Sequence, residues 1–117
     1  MAAKAVGMIG LGIMGSAMSH NLLRAGFEVV GYDVLPQRRR DHQKAGGKIA
    51  RSCREVAKSC DVIVTSLPSA QALLDVAADL AKSTRGGQII VETSTLPISV
   101  KEEARKFVAK RGAILLD

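Results

Sequence analysis

Gly10, Gly12 and Gly15 stand in the spacing G-x-G-x-x-G, and an acid, Asp33, follows about 20 residues after the middle glycine. The chemistry that suits this set is the holding of a diphosphate and a sugar. A glycine at the first position permits a tight strand-to-helix turn. One at the second removes a side chain, so that the backbone can approach a pyrophosphate. One at the third lets the helix pack closely and aim the positive end of its dipole at the anion. A carboxylate at Asp33 can then accept hydrogen bonds from ribose hydroxyls. The turn Gly10-Leu11-Gly12-Ile13-Met14-Gly15 and Asp33 are the first candidate residues for binding a dinucleotide cofactor.

Such a turn works only when a strand leads into it and a helix leads out. Ala5–Ile9 is an apolar, strand-like run, and after the glycines Met14, Met18, Leu22 and Ala25 recur at helical spacing on one face. A second apolar run, Val29–Tyr32, ends at Asp33. Strand, glycines, helix, strand and acid arrive in order, which separates a dinucleotide fingerprint from a glycine-rich turn in a nucleotide-free α/β fold. Further apolar runs at 62–65, 89–91 and 113–116 lack alternation, as strands covered on both faces of a parallel sheet do. A short extended piece at 47–50 brings the count to six strands. Helical patterns lie at about 14–25, 36–45, 52–59, 70–83 and 98–110. Ser52 with Glu55 and Ser99 with Glu102 read as capping boxes, while Pro97 and Gly112 bracket the last helix. Right-handed crossovers then give one domain over residues 1–117, a Rossmann-type doubly wound parallel sheet in the order 3-2-1-4-5-6, with helices on both faces.

Ligands of such sheets sit at the carboxyl ends of the strands, at the switch point. The loops Thr65-Ser66-Leu67-Pro68-Ser69 and Glu92-Thr93-Ser94-Thr95-Leu96-Pro97 should therefore face the cofactor. Their hydroxyl groups suit either a nicotinamide-ribose site or ordinary turn and cap chemistry. Arg38-Arg39-Arg40 reads as a solvated helix face or as a grip on the 2′-phosphate of NADP. No arginine directly follows Asp33, which favours NAD and leaves NADP possible.

A net charge of +6 invites a nucleic-acid partner, but aromatic residues make up only 3% of the chain, leaving almost no stacking platform. Lys4 and the apolar residues after it resemble a signal peptide only faintly, because Gly7, Gly10, Gly12 and Gly15 interrupt them. No run reaches the roughly 18 apolar residues of a membrane span. Cys53 and Cys60 fit neither C-x-x-C nor a zinc spacing, so no metal site is expected and two reduced thiols point to the cytoplasm. His20 reads as a helix-packing residue and His42 as a surface one.

The turn, followed by Met18, Asn21-Leu22 and Ala25-Gly26, resembles the β-hydroxyacid dehydrogenases, the 3-hydroxyisobutyrate dehydrogenase family. Leu67-Pro68 and Glu92-Thr93-Ser94-Thr95 are similar to that family's second and third cofactor segments, and Gly112–Asp117 to the strand before its substrate loop. Ala17 stands where the family often has Pro, and Glu92 where it often has Asp. The resemblance adds Leu67, Pro68 and Thr95 to the cofactor-binding candidates. It also implies a C-terminal helical domain outside these residues, a small β-hydroxyacid as substrate, and a homo-oligomer. The family's catalytic lysine lies in a G-x-x-G-x-G-x-x-x-K segment that this sequence lacks. Lys101, Lys106 and Lys110 sit on a surface-patterned helix without those glycines, so no residue here is assigned as catalytic. Two alternatives stay open: an NADPH-dependent 6-phosphogluconate-dehydrogenase-like or semialdehyde-reducing enzyme, and a cofactor-sensing module without chemistry.

Overall fold

A computed structural model describes residues 4–117. The elements run β1 (Ala5–Ile9), α1 (Ile13–Arg24), β2 (Glu28–Tyr32), α2 (Pro36–Lys44), β3 (Lys48–Ile49), α3 (Cys53–Ser59), β4 (Val62–Thr65), α4 (Ala70–Ala81), β5 (Ile89–Glu92), α5 (Ile98–Ala109) and β6 (Ile114–Leu116). All pairings are parallel, in the order β3-β2-β1-β4-β5-β6. The expected sheet therefore forms, and its switch point falls between β1 and β4, whose register aligns Ile9 with Thr65.

Two cores explain why the strands are apolar throughout. Met8, Leu11 and Val29 pack on Met18, Leu22 and Leu23 of α1. On the opposite face Ile9, Val30, Ile63 and Ile90 meet Val56 of α3, Leu73 and Leu80 of α4, and Ala104 and Val108 of α5. Alternate strand residues thus feed different faces, and both faces are covered.

Four expectations need correction. The buried stripe of α1 is Gly15 and Ser19, flanked by Met18 and Leu22, whereas Met14 is 65% exposed and Ala25 is also exposed. The helix is turned toward its glycine contact, which moves the stripe off Met14 and Ala25. The two histidines exchange roles: His20 is exposed, and His42 is buried with Nε2 3.1 Å from the Val29 carbonyl. His42 lies over Gly31 and Gly47, where a Cβ would meet its ring, so two missing side chains make its space. Of the two capping boxes, Ser52 caps α3 by accepting from the Glu55 N–H at 3.2 Å, but Pro97 takes the cap position of α5 and leaves Ser99 inside the first turn. Ser69 takes the cap reading left open for its loop, accepting from the Ala72 N–H at 3.1 Å at the start of α4. Finally, Lys101 is not on a surface face: it is buried at the start of the stripe Lys101, Ala104, Val108 of α5.

Candidate functional site

The glycine turn is built from inside outward. Gly10 has φ +98°, a left-handed conformation, and a Cβ there would overlap the Ser66 carbonyl oxygen. A Cβ on Gly15 would overlap the Gly10 carbonyl. Both glycines are therefore demanded by the fold itself. Gly12 is different. Its φ of −73° suits any residue, and a Cβ would find only the Arg38 guanidinium, at 3.7 Å. No protein atom requires a glycine there. What the absent side chain leaves is open space at the mouth of a cleft, beside the start of α1.

That helix start is open as well. Gly12 caps α1 without a side-chain hydrogen bond, and the first turn holds no acidic residue. Its leading N–H groups have no partner within the helix, and together with the dipole they suit an anion.

Asp33 is 6% exposed at the end of β2 and locks the turn in place. Its Oδ2 accepts from the Leu11 N–H at 2.8 Å and its Oδ1 from the Leu35 N–H at 2.9 Å. Arg38 Nη1 stands 3.5 Å from Oδ2, and Arg39 donates to the Asp33 carbonyl at 2.6 Å while lying over the Tyr32 ring. No arginine directly follows Asp33 in the chain, yet the fold sets Arg38 beside it. One turn of α2 carries Arg38 back over Asp33, which adjacency in sequence does not reveal. Arg40 instead pairs with Gln37 on the exposed face.

The cleft has a volume of about 700 Å³ and runs along the switch point. Gly10, Gly12, Ile13, Met14, Asp33, Leu67 and Pro68 line it, as the sequence led us to expect. Leu11 and Gly15 are buried behind the wall, and Thr95 is exposed outside the lining. Ser66 and Ser69 of the β4–α4 loop line it too, as that loop was expected to, whereas sequence reasoning missed Tyr32, Cys53 and the α4 acids Asp75 and Asp79. The two acids sit one helical turn apart on the same face, a spacing that was visible but carried no sign of which face met the sheet. Burial pushes the Cys53 thiol up to about 12 and, more modestly, raises the Tyr32 phenol.

The residues fit a dinucleotide: an anion-ready helix start, a position kept free of a side chain, and a carboxylate at the end of the second strand. Residues 5–117 match the family described as the NAD binding domain of 6-phosphogluconate dehydrogenase. The chain belongs to the β-hydroxyacid dehydrogenase family, as its NAD-binding domain. This NAD-binding domain is 39% identical over 115 residues to mitochondrial 3-hydroxyisobutyrate dehydrogenase of Mus musculus, covering 96% of this chain and 34% of the mouse protein. The solved 3-hydroxyisobutyrate dehydrogenase of Mycobacterium tuberculosis, with L-serine, superposes with a TM-score of 0.91 at 26% identity, over 97% of this chain and 39% of that one. A solved complex with NADP+ and 2-OPP has a TM-score of 0.87 at 26% identity, over 96% and 41%. The chain spans about a third of the length of the curated relatives it matches, 34% of the mouse protein for one. No described helix is long and apolar enough to cross a membrane, and the described residues hold no cluster of metal-ligating side chains.

Proposed function

We propose that this domain holds the dinucleotide for an enzyme that moves hydride between a small β-hydroxyacid and nicotinamide. The observation that carries the binding site is Gly12, a glycine that the fold does not need at the mouth of a cleft. Gly10, Leu11, Gly12, Ile13, Met14 and Gly15 hold the pyrophosphate, Asp33 serves the adenosine ribose, and Leu67, Pro68 and Thr95 serve the nicotinamide side. When bound, the nicotinamide supplies the hydride acceptor or donor. The chain's own part is to bind, orient and wall off the cofactor. The family resemblance supports a proton-transfer lysine in a C-terminal helical domain outside these residues. A small hydroxyacid as substrate and homo-oligomeric assembly complete the reading. Two free, buried thiols support a reducing compartment, for which we propose the cytoplasm.

Gly12→Val tests the site. Its branched side chain would fill the open space, so calorimetric titration should show NAD affinity falling at least tenfold in a variant whose melting temperature is unchanged. Undiminished binding would remove the glycine turn from the site.

Arg38 favours a second reading on cofactor choice. Asp33 alone should disfavour a 2′-phosphate: like charges about 4 Å apart repel by ~1 kcal/mol in water and more when partly desolvated, which is roughly tenfold in affinity. Arg38 beside it offsets that repulsion and offers NADP a cation. We therefore expect NAD to bind more tightly, by less than the acid alone would impose. Arg38→Ala should widen the gap by weakening NADP while NAD holds. Tighter binding of NADP than of NAD by the unaltered chain would reverse the assignment.

A further inference from the structure

Behind the β4–α4 loop lies a buried charged network. Lys101 Nζ of α5 stands 3.2 Å from Glu92 Oε2, at the end of β5, and donates to Asp117 Oδ1 at 2.6 Å. Glu92 Oε1 accepts from the Ser94 N–H at 3.0 Å, from Thr65 Oγ1 at 3.2 Å, and from the Ser94 hydroxyl. With its own hydrogen committed to Glu92, Ser94 Oγ accepts from the Leu67 N–H at 2.7 Å. Thr65, Glu92, Ser94 and Lys101 are all buried. A charge on α5 is therefore connected, through one carboxylate and one hydroxyl, to the backbone of a residue that walls the cleft.

Burying an acid and a base is costly, and such a pair is no more stabilising than well-packed apolar residues would be. What it does supply is orientation, because each oxygen must keep its partner. Here the strict geometry ends at Leu67. In a doubly wound sheet the two mononucleotide halves of the ligand straddle the switch point. Asp33 marks the adenosine half on the β2 side, so the β4 and β5 ends carry the nicotinamide half.

We propose that Lys101, Glu92 and Ser94 are positioning residues for the nicotinamide half of the cofactor, acting through the backbone of Leu67. The proposal rests on the dinucleotide reading above and adds to it which part of the ligand the network governs. Lys101 neither touches the ligand nor transfers a proton. It pairs with Glu92 and keeps that carboxylate aimed, Glu92 fixes Ser94, and Ser94 fixes the loop.

The test compares two ligands, NAD and ADP, which lacks both the ribose and the ring of the nicotinamide half, by calorimetry on the whole chain and its Ser94→Ala, Lys101→Met and Lys101→Arg variants. Ser94→Ala removes a single hydroxyl and keeps the test open should Lys101→Met unfold. NAD affinity should fall roughly tenfold in Ser94→Ala and Lys101→Met, in keeping with loss of a buried hydrogen bond. Affinity for ADP should not change, and Lys101→Arg should bind NAD as the unaltered chain does. Equal weakening of both ligands would mean a general structural role and would overturn the proposal, as would unchanged NAD binding by folded variants. An unaltered chain that bound neither ligand would overturn the dinucleotide reading itself, and this proposal with it.

Discussion

Gly10 and Gly12 are two residues apart and should answer to the same substitution in opposite ways. Gly10→Ala meets both a left-handed backbone and a carbonyl oxygen, so it should destabilise the domain by a few kcal/mol. Gly12→Ala meets neither and should leave stability within about 0.5 kcal/mol. Chemical denaturation of the two variants, set beside the binding loss expected for Gly12→Val, separates folding from function within one turn. The thiols give a second prediction at this scale. Burial, above all, raises Cys53 from 9.0 to about 12 and Cys60 from 9.0 to about 11. The folded state thus keeps protons that an unfolded chain releases near pH 9. This contribution to stability is complete below pH 9 and is lost as pH rises through 11 to 12. Urea midpoints should fall across that window. At pH 8 the folded Cys53 has a roughly thousandfold smaller thiolate population than the unfolded residue, so iodoacetamide should label it only after denaturation. Rapid labelling of the native domain would contradict its burial.

Between elements, the packing of α2 depends on what β2 and the turn before β3 omit. The His42 ring occupies the room left by Gly31 and Gly47 and bonds to the Val29 carbonyl. Gly31→Ala would bring a methyl group to 2.7 Å from the ring, and His42→Ala would leave a cavity. Each alone should cost about 1–3 kcal/mol, by overpacking or by lost contacts. Together they should cost less than their sum, because the new methyl fills part of the space the ring leaves. A double-mutant cycle by urea denaturation should give a coupling of about 0.5–3 kcal/mol favouring the pair. Strict additivity would mean that ring and glycine do not share the space. Ser52 and Ser69 close the starts of α3 and α4 with their own hydroxyls, whereas α1, α2 and α5 begin without a side-chain cap, and of these α1 starts from the glycine turn at the cleft.

For the molecule as a whole, the sheet order places the amino end of α1, the end of β2 and the loops after β4 and β5 around one crevice. That arrangement suits binding and orienting a cofactor, while the family's lysine-bearing G-x-x-G-x-G-x-x-x-K segment does not occur in these 117 residues. The 117-residue chain should therefore bind cofactor and oxidise no β-hydroxyacid. General acid–base assistance is worth typically 10²–10⁴-fold, and orientation of substrate can contribute ~7–11 kcal/mol. Nicotinamide absorbance followed with 3-hydroxyisobutyrate and related hydroxyacids should stay flat. Steady reduction proportional to the chain's concentration would place the chemistry within these residues.

The fold was legible because its signals are local and periodic: two-sided apolar strands, helical spacing, and a turn whose glycines answer to backbone sterics. Six strands, their order and the part of the cleft wall built by the glycine turn, Asp33 and the β4–α4 loop follow from those signals. Sequence could not tell which of three fingerprint glycines the fold requires, since that depends on the Ser66 and Gly10 carbonyls and on the empty space near Gly12. Nor could it bring Arg38 to Asp33, bury His42 in place of His20, or pair Lys101 with Glu92. One sign of the last pair was present: Glu92 shares the strand parity of Ile90, and Lys101 shares the helical stripe of Ala104 and Val108. A lone lysine in an apolar stripe reads as a surface residue, because burying its charge is prohibitive until a partner is known to be opposite. Partners opposite one another are set by how β5 and α5 pack across the sheet. That distance in space, absent from any spacing along the chain, is what tertiary structure alone decided.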